Sequence, residues 1–348
     1  MKTIQNVVRS LAFRSLAVLL FILLAVTAVQ AAPWRFIVWC DTRSYKDAGN
    51  PLYSPTAVSP YTANVAAAIS RESVDLVLCP GDLAYGEGKG AFAPPVIGKM
   101  PIYWDNWLTS AAAVLNKFPV YLTRGNNEAV QDNAAGEETQ AWKDWITRRA
   151  VSTTTGIQAA AANLNYTFTH KNCVFIGLDE YAAWASDSDK NTTTVDMTFL
   201  NNALAAAADH RFVFLHQPVW YGDPAPVGPN TPATAPQDFA NAMNGKVDLI
   251  FTGHVHIYNR EGKTGYSFQE IIAGNGGAPL DNYKPPTDPA INSVYDDTHF
   301  GYVLVTVDGA RVTTEFKYLL DPSSSTSAVA VGDRWPVTSA PVLLLLGD

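Results

Sequence analysis

Apolar residues fall along this chain in short runs, each ending on polar or charged residues. Trp34-Arg35-Phe36-Ile37-Val38-Trp39-Cys40 ends on Asp41, and Val74-Asp75-Leu76-Val77-Leu78-Cys79 leads through Pro80-Gly81 to Asp82. Phe118 to Leu122 leads to Gly125-Asn126, Arg211 to Leu215 ends at His216, and Val247 to Phe251 leads to Gly253-His254-Val255-His256. Runs of this kind predict strands covered on both faces. Helical patterns lie between the first three. Ser59-Pro60 opens one that carries Tyr61, Val65 and Ile69, and a Trp-bearing one spans Ile102 to Leu115. Strand, loop, helix, strand in this order predicts parallel pairing through crossover helices.

The rest of the chain is less regular. A short helix is expected at Glu137 to Arg149, and a longer one at Thr194 to Ala208 with Met197, Leu200 and Leu204 on one side. Asn165 to His170 and Cys173 to Leu178, separated by Lys171-Asn172, read as a hairpin. A Pro-rich loop from Gln217 to Pro236 leads to a further short helix. Phe268 to Ala273, Gly301 to Val307 and Val312 to Tyr318 alternate apolar and polar residues, as antiparallel strands do. Asp321 to Thr326 reads as a Ser-rich linker, and Val342 to Leu346 as an edge strand or docked tail.

Composition narrows the function. Residues 1–31 read as a secretory signal: Lys2, Arg9 and Arg14 precede an apolar stretch from Leu16 to Val29, and Val29-Gln30-Ala31 is a small-residue cleavage site. The stretch is short for a membrane span, so cleavage is expected rather than an uncleaved anchor. The expected division is signal 1–31, one domain 32–320, and linker and tail 321–348, with a secreted or periplasmic location and no stable span after signal removal. The formal charge is −8, and removing a positive leader makes the remainder more acidic still. An acidic surface disfavours general nucleic-acid binding. The three cysteines, Cys40, Cys79 and Cys173, imply no disulfide framework.

The polar run ends carry the chemistry. In a doubly wound sheet the carboxyl ends of the strands lie on one side, and ligands bind there. Asp41, Asp82, Asn126, His216, His254 and His256 can therefore converge although they are far apart in sequence. Carboxylate, amide and imidazole donors suit first-row metals such as Fe, Zn or Mn. One histidine in an apolar run is usually a packed core residue. Three histidines and two aspartates, all at strand ends, are not explained that way.

The order Asp41, Gly81-Asp82, Gly125-Asn126, His216, Gly253-His254-Val255-His256 resembles the calcineurin-like metallophosphoesterases over about Phe36 to Tyr318. Gly81-Asp82-Leu83-Ala84-Tyr85 and Gly253-His254-Val255-His256-Ile257-Tyr258-Asn259-Arg260 are similar to motifs of the purple acid phosphatase branch. The resemblance implies an α/β fold (α+β in some schemes), a two-sheet β-sandwich flanked by helices in four αββα layers. It implies a binuclear centre in which Asp82 bridges two ions, Asp41, Tyr85 and His256 complete the first site, and Asn126, His216 and His254 complete the second. A phenolate from Tyr85 would favour ferric iron. The implied activity is hydrolysis of small-molecule phosphate monoesters or diesters by a metal-activated water.

Two residues depart from the family pattern. Arg43 stands where many members have a metal-binding His, and arginine does not ligate metals. It is expected either to hold a substrate phosphate or to pair with a surface acid. Asn127 stands where the family has a His that helps protonate the leaving group, and an amide cannot transfer a proton at neutral pH. His299, in the loop Thr298-His299-Phe300-Gly301, is a candidate to replace it; Glu128 is another. The alternative function is a catalytically weakened metal- or phosphate-binding protein on the same scaffold.

Overall fold

The structure is a computed structural model that describes residues 32–44, 54, 56–84, 100–129, 135–182, 192–221, 231–232 and 236–337. The signal-like residues 1–31, Tyr85 and the apolar tail 342–346 lie outside them. Trp34–Asp348 forms one compact unit, distinct from Met1–Pro33.

Two seven-stranded mixed sheets dominate this unit. In the first, β1 (Trp34–Val38), β2 (Leu76–Pro80), β3 (Pro119–Thr123) and the short β4 (Gly156–Ile157) run parallel. In the second, β5 (Tyr166–His170) pairs antiparallel with β6 (Cys173–Gly177), as the hairpin signal predicts. A two-residue ribbon joins β7 (Thr192–Thr193) to β9 (Thr231–Pro232) apart from either sheet. Strands β8 (His210–Phe214), β10 (Leu249–Thr252) and β12 (Gln269–Ala273) continue the parallel part of the second sheet from β6. Antiparallel β11 (Tyr258–Lys263) and β13 (Ile291–Asp296) extend it beyond β12. Strands β14 (Gly301–Asp308), β15 (Arg311–Leu319) and β16 (Val329–Val337) return antiparallel to the first sheet, with β14 beside β1.

Strand alternation sets the layers. Phe175 of β6, Phe212 of β8 and Phe251 of β10 point inward and meet Phe36 of β1 across the sandwich, with ring centroids 5.2, 5.2 and 5.7 Å away. Their neighbours Val174, Val213 and Ile250 point outward against Leu200, Leu204, Phe239 and Met243 of the helices Met197–Leu204 and Pro236–Met243. On the far side, Val65 and Ile69 of the helix Thr62–Ser70 and Trp104 and Trp107 of the helix Met100–Ser110 join the first sheet's core. Each fully buried large apolar side chain contributes roughly 1.5–3 kcal/mol. The result is the expected α-β-β-α order.

Some boundaries move. The helix expected over Thr194 to Ala208 is the shorter Met197–Leu204, started by Asp196, whose side chain accepts the Phe199 N–H. Tyr258–Lys263, Ile291–Asp296 and Val329–Val337 are strands that no apolar run announces. The last pairs with β15, so the segment expected to be linker and tail carries the first sheet on to Val337. The three cysteines are buried and unpaired. Among the described residues no helix is long and apolar enough to cross a membrane.

Candidate metal centre

The site lies past the carboxyl ends of β1, β2 and β3 in one sheet and of β8 and β10 in the other. Backbone hydrogen bonds tie the turns together: Thr42 N–H to Asp82 O at 2.9 Å, Gly253 N–H to His216 O at 2.8 Å, and Ala278 N–H to Asp41 O at 2.7 Å. The sheets also meet here directly, because the His254 N–H lies 3.1 Å from both Asp41 carboxylate oxygens. Gly81 has φ +87°, and a Cβ on it would lie within 3 Å of the Gly125 backbone. A Cβ on Gly125 would collide with the Asp82 carboxylate. Asp41, Asp82 and His254 themselves adopt positive φ (54°, 52° and 70°). Such conformations cost of order 1–3 kcal/mol each and persist where surrounding structure enforces them.

Ligand-type atoms of Asp41, Asp82 and His216 all lie within 4.8 Å of one another, and all three residues are buried. One half of the cradle comprises Asn126, His216 and His254. His216 Nδ1 lies 2.7 Å from Pro80 O, which can only accept, so Nδ1 carries the proton and Nε2 presents a lone pair. That lone pair faces Asn126 Oδ1 at 3.1 Å and Asp82 Oδ1 at 3.4 Å. His254 Nδ1 lies 2.9 Å from the same amide oxygen, while its buried Nε2 has no hydrogen-bond partner among the described residues. Electron-rich atoms converging this closely fit a cation. A histidine whose other nitrogen donates to a carbonyl is the usual posture of a metal ligand.

The other half comprises Asp41, His256 and Arg43. His256 Nδ1 donates to Pro279 O at 2.7 Å, so its Nε2 is also a lone pair. That Nε2 lies 3.7 Å from Asp41 Oδ1 and 3.2 Å from an Arg43 terminal nitrogen. Arg43 Nε donates to Asp82 Oδ2 at 3.2 Å. The Asn127 side-chain amide donates to the same oxygen, and its backbone N–H donates to Asp82 Oδ1 at 3.0 Å. Arg43 is therefore paired with an interior carboxylate. Asn127 clamps Asp82.

Burial shapes the protonation states. It pushes Asp41 well above the usual carboxylate range, with the charge of Asp82 adding to the effect. Asp82 is buried too, but His216, Arg43, the Asn127 N–H and His254 together outweigh burial and hold it low. Burial takes His254 down to about 3, helped by His216, and lowers His256 and His216 as well. Neutral imidazoles beside ionisable carboxylates are the form in which metals are bound.

Three buried glutamates support the cradle. Glu128 accepts N–H groups of Gly125, Asp82, Leu83 and Ala84 at 2.7, 2.9, 2.9 and 3.4 Å. Glu180, past the end of β6, accepts those of His216 and Gln217 at 3.0 and 2.6 Å. Glu270 of β12 accepts those of Val219 and Trp220 at 2.8 and 3.1 Å. Of these, only Glu128 is singled out in the sequence, as a proton donor. Its carboxyl is spent on the loop. Glu180 had a signal, since the run Cys173 to Leu178 also ends on acids, Asp179-Glu180.

The His299 side chain is engaged by Asp296 at 2.8 Å, Thr298 at 3.0 Å and the Tyr318 ring, none of which is a cradle residue. His170 and His210 are engaged by Asp75 and Asp248.

A family model described as calcineurin-like phosphoesterase matches residues 59–258, more than half of the chain and all of the cradle except Asp41 and Arg43. Purple acid phosphatase 22 of Arabidopsis thaliana is 25% identical over 263 residues, which span 72% of this chain and 56% of that protein. The chain thus spans little more than half the length of this relative. Purple acid phosphatase PPD1 of yellow lupin (Lupinus luteus) superposes with a TM-score of 0.60 at 16% identity, over 89% of this chain and 54% of the other. PhoD gives 0.61 at 14% identity, over 90% and 73%. GAP50 of Plasmodium, described as an anchor in the inner membrane complex, gives 0.56 at 14%, over 88% and 89%. By the family model, and with a purple acid phosphatase as its relative in sequence, this chain belongs to the calcineurin-like phosphoesterase family.

Proposed function

We propose that the chain is an exported metal-dependent phosphoric ester hydrolase, acid-phosphatase-like, acting on small phosphate monoesters or diesters. The observation that carries this is the posture of His216: its Nδ1 proton is engaged by the Pro80 carbonyl, and its Nε2 turns toward Asp82 Oδ1 and Asn126 Oδ1. The donors suit Fe, Zn or Mn. Tyr85, the expected iron ligand, lies outside the described residues.

Asp82, Asn126, His216 and His254 would hold a cation, which when bound would supply Lewis acidity toward a phosphoryl oxygen and a more acidic water. The protein's own part is to hold these donors on two sheets and to place the Arg43 charge beside them. The position where the family pattern has a proton-donating His carries Asn127, an amide that cannot protonate a leaving group. Esters of acidic alcohols are therefore the favoured substrates, as losing general acid catalysis costs about 10²–10⁴-fold on poor leaving groups. Of the expected pair of ions, the one on the Asn126 side is supported by the donors that converge there.

The second reading is a binding protein on this scaffold, favoured by the engagement of Asn127 with Asp82. The fold does not decide, because phosphatases and an anchor protein share it. The test is to strip the protein with chelator, reload it with Mn, Zn or Fe, and follow hydrolysis of nitrophenyl phosphate and bis(nitrophenyl) phosphate. Turnover restored by metal and absent in His216→Ala supports the enzyme. Metal bound without turnover of either ester supports the binding reading. Export is checked by N-terminal sequencing of secreted protein, expected to begin at Ala32.

A further inference from the structure

We infer that the Asp41–His256 half of the cradle is filled by the Arg43 guanidinium rather than by a metal ion. The centre then takes one cation, on the Asn126–His216–His254 side. The inference rests on the metal-dependent reading above and deepens it.

Two atoms carry the argument, Asp82 Oδ2 and His256 Nε2. A cation between Asp82 and His256 needs a lone pair from each. Both are already used by one side chain: Arg43 Nε reaches Asp82 Oδ2 at 3.2 Å, and its terminal nitrogen reaches His256 Nε2 at 3.2 Å. The His256 contact is a true donor–acceptor pair, because the Pro279 carbonyl fixes the proton on Nδ1. Asp82 Oδ2 also accepts from the Asn127 amide. Asp82 Oδ1, by contrast, lies toward His216 and among the described residues takes only the Asn127 backbone N–H.

Arg43 is also placed to stay. Its backbone bridges to Val58, its side chain is only 20% exposed, and it donates to Ser44 O at 3.4 Å. Guanidinium remains protonated throughout the accessible pH range. A fixed positive group on these two atoms supplies one positive charge where a first ion would bring two or three, and it repels an ion placed beside it. The two departures from the family pattern, Arg43 and Asn127, thus meet on one oxygen.

Metal stoichiometry tests this directly. Wild-type protein, Arg43→Gly and Arg43→Lys are dialysed against Mn and against Zn, and the bound metal is counted by elemental analysis. We expect about one ion per chain in the wild type and in Arg43→Lys, and about two in Arg43→Gly, where the charge and both donors are gone. With Mn, the wild-type paramagnetic resonance spectrum should be that of an isolated ion, and that of Arg43→Gly an exchange-coupled pair. Two ions in the wild type, or a single ion in a folded Arg43→Gly, would overturn the inference and leave the metal-dependent reading standing. No bound ion in the wild type would overturn both.

Discussion

The two halves of the cradle each turn a histidine Nε2 toward a buried carboxylate, His216 toward Asp82 and His256 toward Asp41, yet they are differently satisfied. On the Asn126 side, the His216 lone pair faces an amide oxygen and a carboxylate oxygen, and a buried His254 nitrogen has no partner among the described residues. On the Asp41 side, the corresponding His256 lone pair accepts a hydrogen bond from Arg43. A ligand set alone therefore does not define a metal site. What matters is whether the lone pairs are already spoken for, and here one half calls for a cation while the other carries its own.

The largest effect should come from breaking the open half. His216→Ala is expected to abolish both metal binding, read by calorimetry, and turnover. His256→Ala removes an acceptor of Arg43, so its metal affinity should stay within about 10-fold of wild type, no more than an outer-shell change. Comparable losses in the two variants would erase the distinction between the halves. Asn127→His comes next. It restores a proton donor, so hydrolysis of an alkyl phosphate should rise by up to ~10²-fold while nitrophenyl phosphate changes little. An equal change on both esters would place the missing donor elsewhere.

Glu128→Gln tests the support beneath Asp82. An amide NH₂ would face backbone N–H groups that now meet an acceptor, at a cost of about 1–3 kcal/mol. The melting temperature should fall by about 2–4 °C for each of those kcal/mol.

The smallest effect is a slope with pH in chelated protein. Burial raises Glu180 and Glu270 to about 8. Between the ordinary glutamate value and 8 the folded state keeps protons that the unfolded state has lost, so stability falls as pH rises. Burial lowers His254 to about 3, so between 3 and the ordinary histidine value the unfolded state binds the extra proton and stability rises with pH. Two falling slopes outweigh one rising slope above the ordinary glutamate value, so melting temperature should be highest at about pH 4–5 and fall from there to about 8; a steady rise from 6 to 8 would contradict these assignments.

Much of this was legible in the sequence because β1, β2, β3, β8 and β10 are continuous apolar runs with polar ends. Periodicity alone could not say that two different sheets carry them. That requires the inward Phe36, Phe175, Phe212 and Phe251 to meet, a pairing no local pattern encodes. Strands β11 (YNREGK), β13 (INSVYD) and β16 (VAVGDRWPV) escaped because they are polar or interrupted by Gly and Pro. Glu180 and Glu270 escaped because a glutamate reads as a surface residue until the turn it caps is known. Arg43 and Asn127 were visible as departures. Their shared target, Asp82 Oδ2, was not, since it depends on the side-chain directions of two loops.

The most direct test is a crystal of the protein grown with Mn, with an anomalous difference map calculated at the cradle. The account predicts one peak bounded by Asp82, Asn126, His216 and His254, with the Arg43 side chain between Asp82 and His256. No peak beside those four residues, or a second peak between Asp41 and His256 with Arg43 displaced, would contradict it.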